Sequence, residues 1–184
     1  MNKTGWIVLA LVAMLIIGAF SGYNGLVGLN EEVNGKWSQV ENQLQRRADL
    51  IPNLTATVAG YAQHEQAAIK AVADARAKLA GGQGPAAKAE ANNELGGALS
   101  RLLVIAENYP NLKADKNFRQ LADELAGTEN RIAVSRKDYN DAVQIYNTKI
   151  RTVPSSIYAG MLGFGPKEYF KAAESAQQVP QVKF

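Results

Sequence analysis

From Thr4 to Asn30 the chain carries no charge for 27 consecutive residues, and this run passes without a turn signal into a heptad repeat. That junction constrains the fold more than any other feature. The apolar heart is Trp6 to Phe20, and as a helix the whole run reaches roughly 40 Å, enough for a hydrocarbon core of about 30 Å. A membrane anchor over residues 1–30 is expected, with Leu9, Leu15 and Phe20 in its body. Trp6 and Tyr23 stand near its ends, where amphipathic rings suit the interface. Gly18-x-x-x-Gly22 offers a small-residue face for helix association in lipid. The competing reading is a cleaved signal peptide, with Lys3 as its basic region and a cut after Ser21. Direct passage into the heptads favours a retained anchor, and the absence of Cys excludes a lipoprotein signal. Lys3 before the run and Glu31-Glu32 after it bias the C-terminal domain weakly towards export, although Arg46-Arg47 blurs the contrast.

Beyond Asn30, Leu26, Val33, Val40, Leu54 and Tyr61 recur every seven residues, with Arg47 as the exception in the same position. Trp37, Leu44, Ile51 and Val58 occupy the complementary position. Such 3-4 spacing predicts a long helix with one apolar seam. Pro52 removes a backbone donor, so a kink is expected near Ala48 to Pro52. Ala-rich sequence continues the helix to Ala80, and Gly81-Gly82-Gln83-Gly84-Pro85 ends it. A second helix is predicted over about Ala86–Tyr109, with Leu95, Leu99, Leu102, Leu103, Ile105 and Ala106 inward. A third is predicted over about Lys113–Arg151, with Phe118, Leu125, Ile132, Tyr139 and Tyr146 at heptad spacing. No segment alternates with period two, so no β-sheet is expected. The expected fold is all-α: an N-terminal transmembrane helix, then an antiparallel up-and-down bundle of long helices over 31–178, and a tail over 179–184. The rods do not match in length. Residues 31–80 reach ~75 Å, 86–109 ~36 Å and 113–151 ~60 Å. Either the long helices overhang or Pro52 breaks the first one.

Thr152 to Pro166 is also uncharged but too short to span a bilayer. It reads either as a loop laid over the core or as an exposed patch for a partner or membrane surface, carried by Ile157, Tyr158, Met161, Leu162 and Phe164. Lys167 to Gln178 reads as a short helix.

Composition excludes several chemistries. With no Cys and one His, the chain has no thiolate nucleophile, disulfide, Cys-based zinc site or His-rich metal centre of its own. A net charge of +3 is a weak footprint for nucleic acid, and none is expected as a partner. His64-Glu65 lacks the second His that a zincin helix needs, and the Gly cluster at 81–84 lacks the Lys-Ser/Thr of a phosphate loop. No nucleophile–base set is visible, so no enzyme and no cofactor are expected.

Several strings are distinctive. They are Trp37-Ser38-Gln39-Val40, Leu44-Gln45-Arg46-Arg47-x-Asp49-Leu50-Ile51-Pro52-Asn53-Leu54, Gly60-Tyr61-x-x-His64-Glu65, and Ala106-Glu107-x-Tyr109-Pro110-x-Leu112-Lys113-Ala114. Leu125-x-Gly127-Thr128-Glu129-Asn130-x-Ile132 and Arg136-x-x-Tyr139-Asn140 follow, then Phe164 and Tyr169-Phe170. In this order they resemble the LemA family, from Tyr23 to about Phe170. The resemblance implies a bacterial single-pass membrane protein with an antiparallel helical bundle, no established enzymatic activity, and a related branch linked with magnetosome membrane formation. It also implies an N-terminus outside the cell, opposite to the charge bias.

A guanidinium at a seam position needs a partner. Arg46 or Arg47 is therefore expected to pair with Asp49, Glu107 or Glu129 in a structural polar network. The functional expectation is a self-associating scaffold or adaptor at the bacterial inner membrane, with the lipid bilayer and further copies of itself as partners. The alternative is an accessory subunit of an envelope enzyme such as a membrane peptidase.

Overall fold

A computed structural model describes residues 3–171, with the backbone alone for 3–5, 8–12, 15–17 and 19. Its helices are α1 (Lys3–Tyr61), α2 (Gln66–Gly81), α3 (Gly84–Ala106), α4 (Pro110–Ala114), α5 (Lys116–Arg151) and α6 (Ser155–Tyr158). The described residues contain no strand. The fold is an all-α bundle.

Helix α1 is the spine. The seam residues Leu26, Val33, Val40, Leu44, Ile51, Leu54 and Val58 are all buried, and α5 lies along them. Cross-links set the direction and register: Lys36 pairs with Asp138, Arg47 with Glu129, and the Tyr61 hydroxyl bonds Asp115. Rising numbers on α1 meet falling numbers on α5, so the two are antiparallel. Helix α2 packs back on α1, and α3 packs on α2. The Phe118, Leu125, Ile132, Tyr139 and Tyr146 stripe faces inward.

Pro52 does not break α1, and the expected division of the first rod falls elsewhere. A proline at 52 leaves the Ala48 carbonyl without its helical donor and costs about 3 kcal/mol in a helix interior. Arg76 of α2 supplies a replacement: its Nε–H donates to Ala48 O at 2.8 Å. A hydrogen bond from a charged donor contributes about 1.5–3 kcal/mol and offsets most of the loss. The chain instead turns at 62–65, where Glu65 N bonds Ala62 O. The cause is partner length. Helix α5 begins at Lys116, opposite Tyr61, so a longer α1 would carry its seam into solvent.

Other boundaries move for local reasons. Helix α3 ends at Ala106 rather than Tyr109, and α5 starts at Lys116 because the Asp115 carboxylate accepts the Phe118 N–H at 2.9 Å, an N-cap. Leu103 is exposed and Ile105 half-buried, so the inward face of α3 is narrower than the sequence reading drew it. The helix expected over Lys167–Gln178 is not formed in its described part, since Lys167–Lys171 is non-helical. The remainder and the 179–184 tail lie outside the described residues.

Among the described residues no helix is long and apolar enough to cross a membrane. The side chains of Leu9 and Leu15 lie outside that description, and Trp6 and Phe20 are exposed.

Candidate functional site

Three clusters organise the polar and aromatic side chains. In the first, Arg47 is buried in the α1 seam. Its Nη1 donates to Asn92 Oδ1 of α3 at 2.8 Å and to Glu129 of α5. One guanidinium thus ties three helices. Burial pushes Arg47 below the usual guanidinium range, and the charge and hydrogen bond of Glu129 pull it back. Glu129 is about half exposed, so the pair is a buried cation with a carboxylate at the rim. Arg47 Nε and Gln43 Oε1, a turn apart on α1, are buried without hydrogen-bond partners among the described residues.

The second cluster is a clamp on the chain's return from α6. Asn147 donates from Nδ2 to Lys167 O and accepts Lys167 N–H at Oδ1, both at 2.8 Å. Asn140 does the same with Phe170, at 3.0 and 2.9 Å. The hydroxyls of Tyr146 and Tyr139 donate to Gly165 O and Glu168 O. The match is metric. Seven helical residues advance ~10.5 Å, and three extended residues advance ~10 Å. A heptad of Tyr-Asn therefore holds a peptide at three-residue steps, each Asn amide pairing like a neighbouring strand. Phe170 is buried against Trp37 and near Tyr139, which itself packs on Trp37. Burial, with the nearby charge of Glu168, pushes the Tyr139 hydroxyl up to about 12.

The third lies at the other end of the return. Tyr158 of α6 packs on Gly22, where any Cβ would collide with its hydroxyl. Phe164 meets Tyr23 edge-on at 5.8 Å. Gly22 thus receives Tyr158 within the chain, whereas Gly18 has open space. Ile157, Met161 and Leu162 remain exposed rather than lying over the core.

Of the residues expected in one polar network, only Arg47 and Glu129 come together. Asp49 accepts from Gln45 at 2.8 Å, and Glu107 pairs with Lys113. Arg46 instead lines a shallow groove of about 510 Å³ with Lys116, Arg119 and Arg131, beside Asp123 and Glu124. Among the described residues none of these four cations is in an ion pair. His64 sits in the 62–65 turn, where Glu65 accepts from Tyr109 at 3.1 Å. The sequence reading names Asn140 only within a family string and does not single out Asn92, Asn147 or Arg76. A repeated Tyr-Asn at 139–140 and 146–147 was the available signal for two of them; nothing local marked Asn92 or Arg76.

These clusters fasten helix to helix, and they define the chain as a long-helix bundle carried on an extended N-terminal helix. The segments that resemble one family supply many of the fasteners: Arg47, Tyr61, Glu65, Tyr109, Glu129, Tyr139, Asn140 and Phe170. The family profile matches residues 36–184, and the chain belongs to the LemA family. Among its relatives, Magnetosome protein MamQ of Magnetospirillum gryphiswaldense is 30% identical, over 89% of this chain and 69% of its own length. Magnetosome protein MamQ 2 of Paramagnetospirillum magneticum is 29% identical, over 89% and 68%. Protein LemA of Metamycoplasma hominis is 26% identical, over 89% and 78%.

Proposed function

We propose that this chain is a single-pass, membrane-anchored scaffold or adaptor of the bacterial inner membrane that acts by presenting helical surface and not by catalysis. The observation that carries this reading is the overhang of α1. Helix α5 ends at Arg151, which the α1–α5 register places opposite residues near Tyr23. The preceding twenty or so residues of α1 extend ~30 Å with no companion helix among the described residues. That stretch is uncharged from Thr4 onwards, its length matches a hydrocarbon core, and it continues into the bundle as one helix. The charge bias supports an exported C-terminal domain.

A non-enzymatic role is supported by the use of the polar clusters within the chain. Self-association is supported by the unaccompanied helix and the open face at Gly18. Two relatives bear the name magnetosome protein, which supports a role in an organised cell structure. Direct imaging of the purified full-length protein in detergent and in lipid nanodiscs tests this reading. Particles larger than one copy are expected, and a strict monomer in both media would overturn self-assembly. The groove of Arg46, Lys116, Arg119 and Arg131 supports the second reading, an accessory subunit that meets an acidic face of an envelope enzyme. A stoichiometric partner crosslinked in native membrane, and lost on charge reversal of Arg119, would favour it.

A further inference from the structure

We infer that residues 153–164 form a second membrane contact, an apolar collar seated in the headgroup region beside the point where α1 leaves the bilayer. The inference rests on the anchor reading and adds a lipid-binding surface to it. Four observations converge.

Exposure comes first. Val153 is 79%, Ile157 71% and Met161 87% exposed, and Leu162 is about half exposed. Clustered apolar exposure of this kind marks an interaction surface. The segment still has a defined conformation. Helix α6 is bonded at Ala159 N to Ser155 O, and Phe164 N returns to Ala159 O at 2.9 Å. The structure thus holds these side chains outward while Tyr158 and Phe164 fasten the segment to α1.

Depth comes second. The fastening points are Gly22 and Tyr23. Thr4 to Gly22 spans ~28 Å of helix, close to the thickness of the hydrocarbon core. The collar therefore lies at the level where that core gives way to headgroups.

Charge is the third observation. From Ala142 to Lys167 there is no Asp or Glu, whereas Lys149, Arg151 and Lys167 are present. Lys149 and Arg151 stand in the last turn of α5. Apolar side chains rimmed by cations suit an anionic lipid surface. The acids Glu31 and Glu32 lie more than two helical turns beyond Gly22, away from the proposed bilayer.

Continuity is the fourth. Phe20, also exposed, extends the apolar surface along α1 from the collar into the uncharged run.

The absence of native Cys permits a direct test with single-label variants of the full chain. Met161→Cys and Ile157→Cys report on the collar, Met14→Cys on the anchor, and Val134→Cys on an exposed site of α5 remote from both. Each carries an environment-sensitive fluorophore in vesicles of phosphatidylcholine with a minority of phosphatidylglycerol. Nitroxides are placed near the glycerol end or the methyl end of the lipid chains. The expected result is loss of Met161→Cys and Ile157→Cys fluorescence with the shallow nitroxide, loss at Met14→Cys with the deep one, and none at Val134→Cys. Quenching at Met14→Cys alone overturns the collar and keeps the anchor. Quenching at the collar sites without Met14→Cys keeps the surface contact and overturns the span. No quenching at any site overturns both. Protection of the collar labels by crosslinking to a second copy, without lipid quenching, assigns the patch to self-association and overturns the inference.

Discussion

Pro52 lies inside α1, nine residues before its end, and the helix continues through it, while Ala62 to Glu65 contain neither proline nor glycine and the helix ends there. The two sites differ in what lies beside them. At Pro52 the seam residues Ile51 and Leu54 are fully covered, and Arg76 supplies the donor that Ala48 O lacks. At 62–65 the neighbouring α5 has just begun, and Tyr61–Asp115 and Glu65–Tyr109 bond the turn to that end of the bundle. Local propensity ranks proline as the stronger breaker. A continuous packed neighbour outweighs it, and the loss of that neighbour ends a helix that propensity would extend.

The strongest test of this contrast removes the packing that carries α1 past Pro52. Ile51→Ala and Leu54→Ala should each cost about 2–5 kcal/mol, as buried large-to-small changes do. Urea unfolding of the full chain in mild detergent, followed by circular dichroism, measures it. A cost below about 1 kcal/mol would mean that the seam is not what carries the helix through Pro52. Next in size is Arg76→Ala, expected to cost about 1–3 kcal/mol by stranding the Ala48 carbonyl. In a Pro52→Ala background the helix regains its own donor, so the same substitution should cost less. Equal costs in the two backgrounds would show that Arg76 does not compensate for the proline.

At the turn, pH offers a third test. The Phe118 N–H and then the Tyr61 hydroxyl hold the Asp115 carboxyl below its ordinary range. A depressed folded value means that the associated stability is present above the unfolded value of ~3.9 and is lost as pH falls through the folded one. Asp115→Asn should flatten that acid limb of the Tm–pH curve, and an unchanged limb would assign it to other carboxylates. The smallest effect is expected from Tyr109→Phe, which frees the half-buried Glu65. It should leave Tm nearly constant while speeding amide exchange at Ala68 and Ile69, whose N–H groups bond Glu65 O. Unchanged exchange would remove Tyr109 from the devices that hold the turn.

Much of the bundle was legible because burial on a helix repeats at nearly seven residues. The α1 seam and the Phe118-to-Tyr146 stripe could be read directly from spacing, as could the Gly81–Pro85 break. Legibility failed where an interaction joined residues far apart in the chain. Arg47 announced its need for a carboxylate by standing in an apolar seam, yet Asp49, Glu107 and Glu129 were equal candidates until the α1–α5 register placed Glu129 beside it. The sequence reading expects a helix from Lys167, where the described stretch to Lys171 is non-helical. Its path depends on Asn147 and Asn140, twenty and thirty residues upstream of their partners, in contact pairs that no local window contains.

By itself, the sequence determined which residues seek burial, that they do so with helical period, and that an uncharged run leads into them. These follow from transfer free energy and backbone geometry, which act residue by residue. Only the tertiary structure decided where the first helix ends, which carboxylate answers Arg47, and that Gly22 receives Tyr158. Each outcome depends on which surface lies opposite, because a stranded carbonyl, a buried cation or an open seam is costly only until a neighbour arrives to satisfy it.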